Sequence, residues 1–175
     1  SGNPSLAYDD TWVMVGDAAW FSGPYQVVCK TLNGSTWDLL AEEECAPGVS
    51  ADPQTNAYNP TGVVDAQGYP VVAWLNSATR MVLLRRWDGT AWVELAGSAT
   101  GEGVSTGTTA WASSAPAVTV DPQGRISVAW DVRLSATART VYLRRWNGTS
   151  WDELGGSSSG TGLTLDPANP LASNP

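Results

Sequence analysis

Short apolar runs of strand length alternate along the chain with clusters of Gly, Asn, Asp, Ser and Pro, and the same order of runs is written three times. Runs of this length, rich in Val and Trp and bounded by turn residues, predict β-strands. Each copy begins after a Pro with a short strand (Val63-Val64; Val118–Val120) and a turn of Asp-Ala-Gln-Gly or Asp-Pro-Gln-Gly at 65–68 and 121–124. A second strand ends in Ala-Trp, at Ala19-Trp20, Ala73-Trp74 and Ala129-Trp130. The third strand (Val27–Leu32, Met81–Trp87, Val141–Trp146) runs into Asn33-Gly34, Asp88-Gly89 or Asn147-Gly148. Such dipeptides are strong hairpin signals, because both central residues of the favoured turn need positive φ. A fourth strand carries Trp37, Trp92 or Trp151, followed by Leu39, Leu95 or Leu154.

The phase-marking Pro falls at 4, 60, 116 and 175, so the repeat has spacings of 56, 56 and 59 residues. Four-stranded antiparallel units at this period predict an all-β chain of three β-propeller blades, over 3–59, 60–115 and 116–175, the last including a link-like tail. A β-sandwich would explain the strands but not the threefold repetition. Three blades do not close a ring, and the two end faces differ, so contact between copies would be heterologous. The expected partner is therefore the chain itself, as a dimer giving six blades or as a filament. The tail Gly162–Pro175 matches the link Gly48–Pro60, and is expected to lie on the first blade of a neighbouring subunit near Pro4 to Asp9.

Composition narrows the chemistry. The chain of 175 residues has a formal charge of −8, which disfavours nucleic acid and anionic membranes as partners. No run approaches the roughly 18 apolar residues of a membrane span, so no membrane insertion is expected. The opening Ser1-Gly2-Asn3-Pro4 lacks a charged-then-apolar leader and reads as a processed end or a tag remnant. There is no His, which removes the commonest general base and transition-metal ligand; no cofactor or metal is implied. Cys29 and Cys45 lie 16 positions apart. A disulfide there would stabilise by about 3 kcal/mol through loop closure, and would fit a secreted or cell-surface protein. Two unrelated buried thiols are the alternative.

Eight of the ten Trp fall into sets by position. Trp37, Trp92 and Trp151 follow a hairpin turn in every copy, and Trp20, Trp74 and Trp130 end the second strand; both sets are expected to pack between blades. Trp87 and Trp146 differ in that each follows two arginines. On a strand those arginines point to opposite faces. One is expected to be held by a carboxylate such as Glu94, Glu153 or Asp131, and to position blades. The sharper reading is a saccharide pocket built from Arg86 with Trp87 and from Arg145 with Trp146, since indole faces stack on sugar C–H groups and a guanidinium binds hydroxyls.

The stretch Leu-Arg-Arg-Trp-Asp/Asn-Gly-Thr-x-Trp-x-Glu-Leu-x-Gly, present at 84–97 and 143–156, resembles the blades of bacterial and fungal propeller lectins and tectonin-like repeats. The first copy departs from it, with Lys30-Thr31-Leu32 in place of Arg-Arg-Trp. The resemblance implies a propeller fold and, through a few positions, sugar binding. The Asn-Gly-Ser at 33–35 and Asn-Gly-Thr at 147–149 match the N-glycosylation pattern but are explained by turn chemistry. Glu42-Glu43-Glu44 lacks the alternating ligands of a Ca²⁺ loop. Of the acids, Asp9-Asp10, Asp131 and Asp152-Glu153, none forms a recurring pair suited to glycoside hydrolysis, so no enzyme is expected. The expectation is a non-enzymatic, secreted, self-associating module that binds glycans; the alternative is a structural subunit whose role is assembly.

Overall fold

The computed structural model describes residues 4–9, 11–19, 23–40, 48–106, 112, 114–136 and 138–163. Trp20, Cys45, the acidic run at 42–44 and the tail 164–175 lie outside the described residues. The described residues form three four-stranded antiparallel sheets with no α-helix. The first contains β1 (Ser5–Asp9), β2 (Thr11–Ala19), β3 (Tyr25–Asn33) and β4 (Thr36–Leu39). The second contains β5 (Ala57–Val64), β6 (Pro70–Asn76), β7 (Val82–Trp87) and β8 (Trp92–Val93). The third contains β9 (Ala117–Val120), β10 (Ile126–Arg133), β11 (Arg139–Trp146) and β12 (Trp151–Glu153). Strands are paired in chain order within each sheet, so each is a meander, the blade of a β-propeller.

The turns behave as their residues dictate. Asp88 Oδ1 accepts from the amides of Thr90 and Ala91, and Asn147 Oδ1 does the same for Thr149 and Ser150. The two side chains are interchangeable here because both present one oxygen to the same pair of donors. That accounts for the glycosylation-like tripeptide as turn chemistry. Phase-marking Pro60 lies inside β5 at a break in register between Tyr58 and Thr61, where the ladder does not need its missing N–H.

The outermost strands are short, and the segment just beyond each one takes over as edge partner of the third strand. The Leu84 amide donates to the Ser98 carbonyl at 2.8 Å, and the Ser98 hydroxyl returns a bond to the Leu84 carbonyl at 2.8 Å. Leu143 and Ser157 repeat this pair at 2.9 and 2.7 Å. The Gly-Ser ending of each repeat motif is thus an edge clasp. Further along, the link returns to the third strand at Gly48, Gly103 and Gly162, whose φ values are +57°, +59° and +63°. A Cβ at those positions would sit 2.3, 2.4 and 2.6 Å from the carbonyl oxygens of Val27, Val82 and Val141. Glycine is required there both for its φ and for the close approach.

The core lies between blades rather than within them. One cluster joins Val13, Val15, Val27 and Cys29 of the first blade to Val72, Trp74 and Leu83 of the second. The other joins Val71, Ala73, Leu75 and Leu84 of the second to Ile126, Val128 and Trp130 of the third. Alternate residues of β6 therefore enter opposite cores, and all seven of its residues are buried. Link residues Val49 and Val104 complete the two clusters.

Trp74 and Trp130, each 1% exposed, fill the positions expected of them. The fourth-strand tryptophans do not behave alike. Trp92 and Trp151 pack against the cores, but Trp37 is 39% exposed because no described residues cover that face of the first blade. The leucine equivalent to Leu95 and Leu154 is Leu40 rather than Leu39; Leu40 packs on the first core and its amide donates to the Cys29 carbonyl. The expected disulfide is not present: Cys29 is a free thiol, 1% exposed among valines of the first core. Its strand position turns it inward, as the buried-thiol alternative requires. With it goes the argument for secretion that rested on a bridge.

Trp74→Ala should lower stability by about 3–5 kcal/mol, the cost of a large buried truncation. Trp37→Ala should cost less than about 1 kcal/mol, since its ring is already wet. Urea denaturation of both variants at a concentration where the chain is monomeric checks the contrast.

Candidate functional site

Strand alternation decides where the arginines and indoles point. Arg85 is paired across the sheet with Val72, and Val72 belongs to the first core; Arg86 is paired with Val71, which belongs to the second. Arg85 and Trp87 thus face the first blade, and Arg86 faces the third. In the third blade Arg144 and Trp146 face back toward the second, while Arg145 faces away with Ser127. The sequence-adjacent pairs Arg86 with Trp87, and Arg145 with Trp146, are therefore split across the two faces of a strand. Arg86 of the second blade and Trp146 and Trp151 of the third lie instead on the faces that these two blades turn toward each other.

On the third blade's side of that contact the indoles of Trp146 and Trp151 lie 5.6 Å apart at 51°, and Trp151 Nε1 donates to the Leu95 carbonyl of the preceding blade at 2.8 Å. Trp87 and Trp92 repeat the aromatic pair at 5.6 Å and 61°. One indole of each pair anchors blades, and the other flanks it, half-buried.

The arginines turned toward the preceding blade are structural. Arg85 Nη1 donates to the Val49 carbonyl at 3.2 Å and Arg144 Nη1 to the Val104 carbonyl at 3.1 Å, so each ties its blade to the link that enters it. Burial lowers the pKa of both guanidinium groups, and nearby Glu94 and Glu153 respectively oppose that shift. The expected carboxylate neighbours are there, but as charges near the group rather than as the hydrogen-bonded partners.

The outward arginines differ from each other. Arg86 makes a 2.6 Å ion pair with Asp65, bonds Gln67 Oε1 at 3.2 Å and lies 5.4 Å from the centre of the Tyr69 ring. Asp65 is buried and also accepts from the amides of Gln67 and Tyr69 at 2.9 and 3.0 Å. In the third blade Arg125 stands where Tyr69 stood, and takes the equivalent Asp121 at 2.6 Å. Backbone hydrogen bonding from Arg125 is the largest influence lowering the Asp121 pKa. Arg145, deprived of that partner, bonds Ser127 Oγ at 3.3 Å. Asp65, Tyr69 and Arg125 were not singled out from sequence, where the turn explained the Asp and nothing marked the residue after Gly. A comparison of positions 69 and 125 between copies is the signal that could have found them.

A concavity opens on the face of the third blade turned away from the second. This cavity of about 260 Å³ is lined by Ala117, Ala129, Trp130, Asp131 and Val141 with Ser114 and Ala115. Asp131 is buried there, 3.7 Å from Arg139 Nη1. Among the described residues no group of acids and cysteines could hold a metal ion.

No family model and no curated protein sequence matches this chain. Solved structures do. A fucose lectin from Kordia zhangzhouensis, solved with methyl-fucoside, superposes with a TM-score of 0.51 at 15% identity, over 87% of this chain and 98% of the lectin. The exo-β-1,3-galactanase 1,3Gal43A from Clostridium thermocellum gives 0.51 at 12% identity, over 86% of this chain but 35% of the enzyme. A protein of unknown function from Dyadobacter fermentans gives 0.51 at 13%, over 87% and 50%. These likenesses establish the fold class, propeller-type blades, which a lectin and a glycosidase both use. They also overturn the exclusion of an enzyme: this fold houses a glycoside hydrolase, so missing pairs of acids in repeat register do not rule catalysis out.

Two contrasts check these roles. Arg86→Ala leaves the Asp65 carboxylate without its cation and should cost about 1–3 kcal/mol, against about 0.5 kcal/mol or less for Arg145→Ala, as read by urea melts. Burial pushes the Cys29 thiol from 9.0 up to about 12, so its neutral form favours the fold below pH 9 and that contribution fades as pH climbs toward 12. In a Cys45→Ser variant at pH 8, Cys29 should resist iodoacetamide until urea unfolds the chain, by mass spectrometry.

Proposed function

We propose that this chain is a carbohydrate-binding propeller module of the lectin kind, acting outside the cell, with its site between the second and third blades. The observation that carries this is that Arg86 of the second blade and Trp146 and Trp151 of the third lie on the faces these two blades turn toward each other. Half-buried indoles give a saccharide an apolar ring face to stack on, and a guanidinium already fixed by Asp65 offers its remaining N–H groups without an ordering penalty. The formal charge of −8 favours neutral sugars over sulfated or sialylated ones. The fucoside complex of the Kordia lectin supports the choice of methyl-fucoside as the first probe.

Calorimetric titration with methyl-fucoside, followed by an array of neutral oligosaccharides, tests this reading. Binding by the parent, weakened at least tenfold in Trp146→Ala with the far-ultraviolet circular dichroism unchanged, is the expected result. A parent chain that binds no neutral saccharide on the array would overturn it. Reducing-end release from the bound oligosaccharides, measured in the same samples, would show whether the site also hydrolyses what it holds.

A further inference from the structure

The chain builds the same blade-to-blade contact twice and leaves the two halves of a third one exposed. At the link position, Val49 and Val104 are 1% and 0% exposed in the cores, whereas Leu163, one residue after the matching Gly162, is 54% exposed. Leu163 is held in the same way as its counterparts: its amide donates to the Val141 carbonyl at 2.9 Å, as Val49 donates to Val27 at 2.8 Å. At the end of the fourth strand, Leu40 and Leu95 pack on the following blade, whereas Leu154 is 37% exposed. These residues mark the open face of the third blade, which also carries the cavity floored by Ala129 and Asp131. On the second blade the matching residues, Ala73 and Leu75, share a core with Trp130 of the next blade.

The open face of the first blade carries the other half. Leu6, 58% exposed, pairs across the sheet with Met14, and Met14 pairs with Lys30. Lys30 stands where Arg85 and Arg144 stand, the residues that donate to the carbonyls of Val49 and Val104. Trp37 stands where Trp151 stands, whose Nε1 bonds the carbonyl of Leu95. Each donor on one open face thus has its acceptor, the carbonyl of Leu163 or of Leu154, on the other.

We propose that the occupant of both faces is a second copy of this chain, docked head to tail so that Trp37 meets Leu154 and Lys30 meets Leu163. Two copies of three blades close a ring within the range that propellers use. The contact is heterologous, and it is used twice in the closed dimer. The exposed leucines favour burial against the Leu6–Met14 face for the same reason that Val49 and Val104 are buried within the chain.

Sedimentation equilibrium of the intact chain at micromolar concentration should give twice the chain mass. Leu6→Asp and Leu163→Asp should each reduce it to a monomer with an unchanged circular dichroism spectrum, while Leu134→Asp, at a 37% exposed turn residue, should leave the dimer intact. An equimolar mixture of Leu6→Asp and Leu163→Asp should recover a dimer, because one pair of faces in it is unmutated; a contact between like faces would not be rescued this way. A parent that stays monomeric, a mass that climbs without limit as concentration rises, or a mixture that stays monomeric would each overturn the proposal.

Discussion

Everything in this structure depends on the packing of one twisted sheet against the next. A four-stranded meander is too thin to have a core of its own, so its apolar residues are useful only when a second blade covers them. Strand β6 shows the consequence: sandwiched between two neighbours, it is buried throughout and reads Pro-Val-Val-Ala-Trp-Leu-Asn, with no polar face. Strand β10, covered on one side, alternates and carries Ser127 and Asp131 where β6 has Val71 and Leu75. The hydrophobic pattern of each blade is thus a record of how many neighbours it has within the chain.

The polar groups serve the same packing. Arg85 and Arg144 cross between blades to the carbonyls of the buried link residues Val49 and Val104, and the indole of Trp151 adds a second donor to the Leu95 carbonyl. Gly48 and Gly103 let the link press onto the third strand closely enough for the next side chain, Val49 or Val104, to enter the adjoining core. The fold therefore carries its own description of a blade contact: one apolar link residue, one strand-end leucine, one tryptophan and one cation.

The candidate sugar site is a by-product of that contact. Its guanidinium and its indoles belong to different blades, and they share a contact because alternation along their strands turns both toward the same neighbour. A binding site of this kind cannot be moved or repeated without the interface that makes it. The first blade shows the converse, since Thr31 stands where Arg86 stands and the face it turns to the second blade has no counterpart of that arginine. Fold likeness to a lectin and to a galactanase shows that such blades are shared by binding and by hydrolytic proteins.

Repetition made the blades legible from sequence. Turn dipeptides and the strand-length apolar runs reflect local constraints of φ, pleat and hairpin geometry, and the three meanders appear where they place them. Ala-Trp does not end the second strand, since β6 and β10 run on to Asn76 and Arg133, and Val15, not Ala19, holds the register of Ala73 and Ala129. The sequence also established that Trp74 and Trp130 are interior, because their register repeats. It left open which neighbour a side chain meets. Arg86 and Trp87 are adjacent in the chain but point to opposite blades, Asp65 is a turn residue that proves to be half of a buried ion pair, and Trp37 copies Trp92 in sequence but not in burial. Each of these depends on contacts between residues far apart in the chain. Only the stacking of whole sheets decides them, since alternation fixes a face locally while the partner of that face is set by tertiary structure.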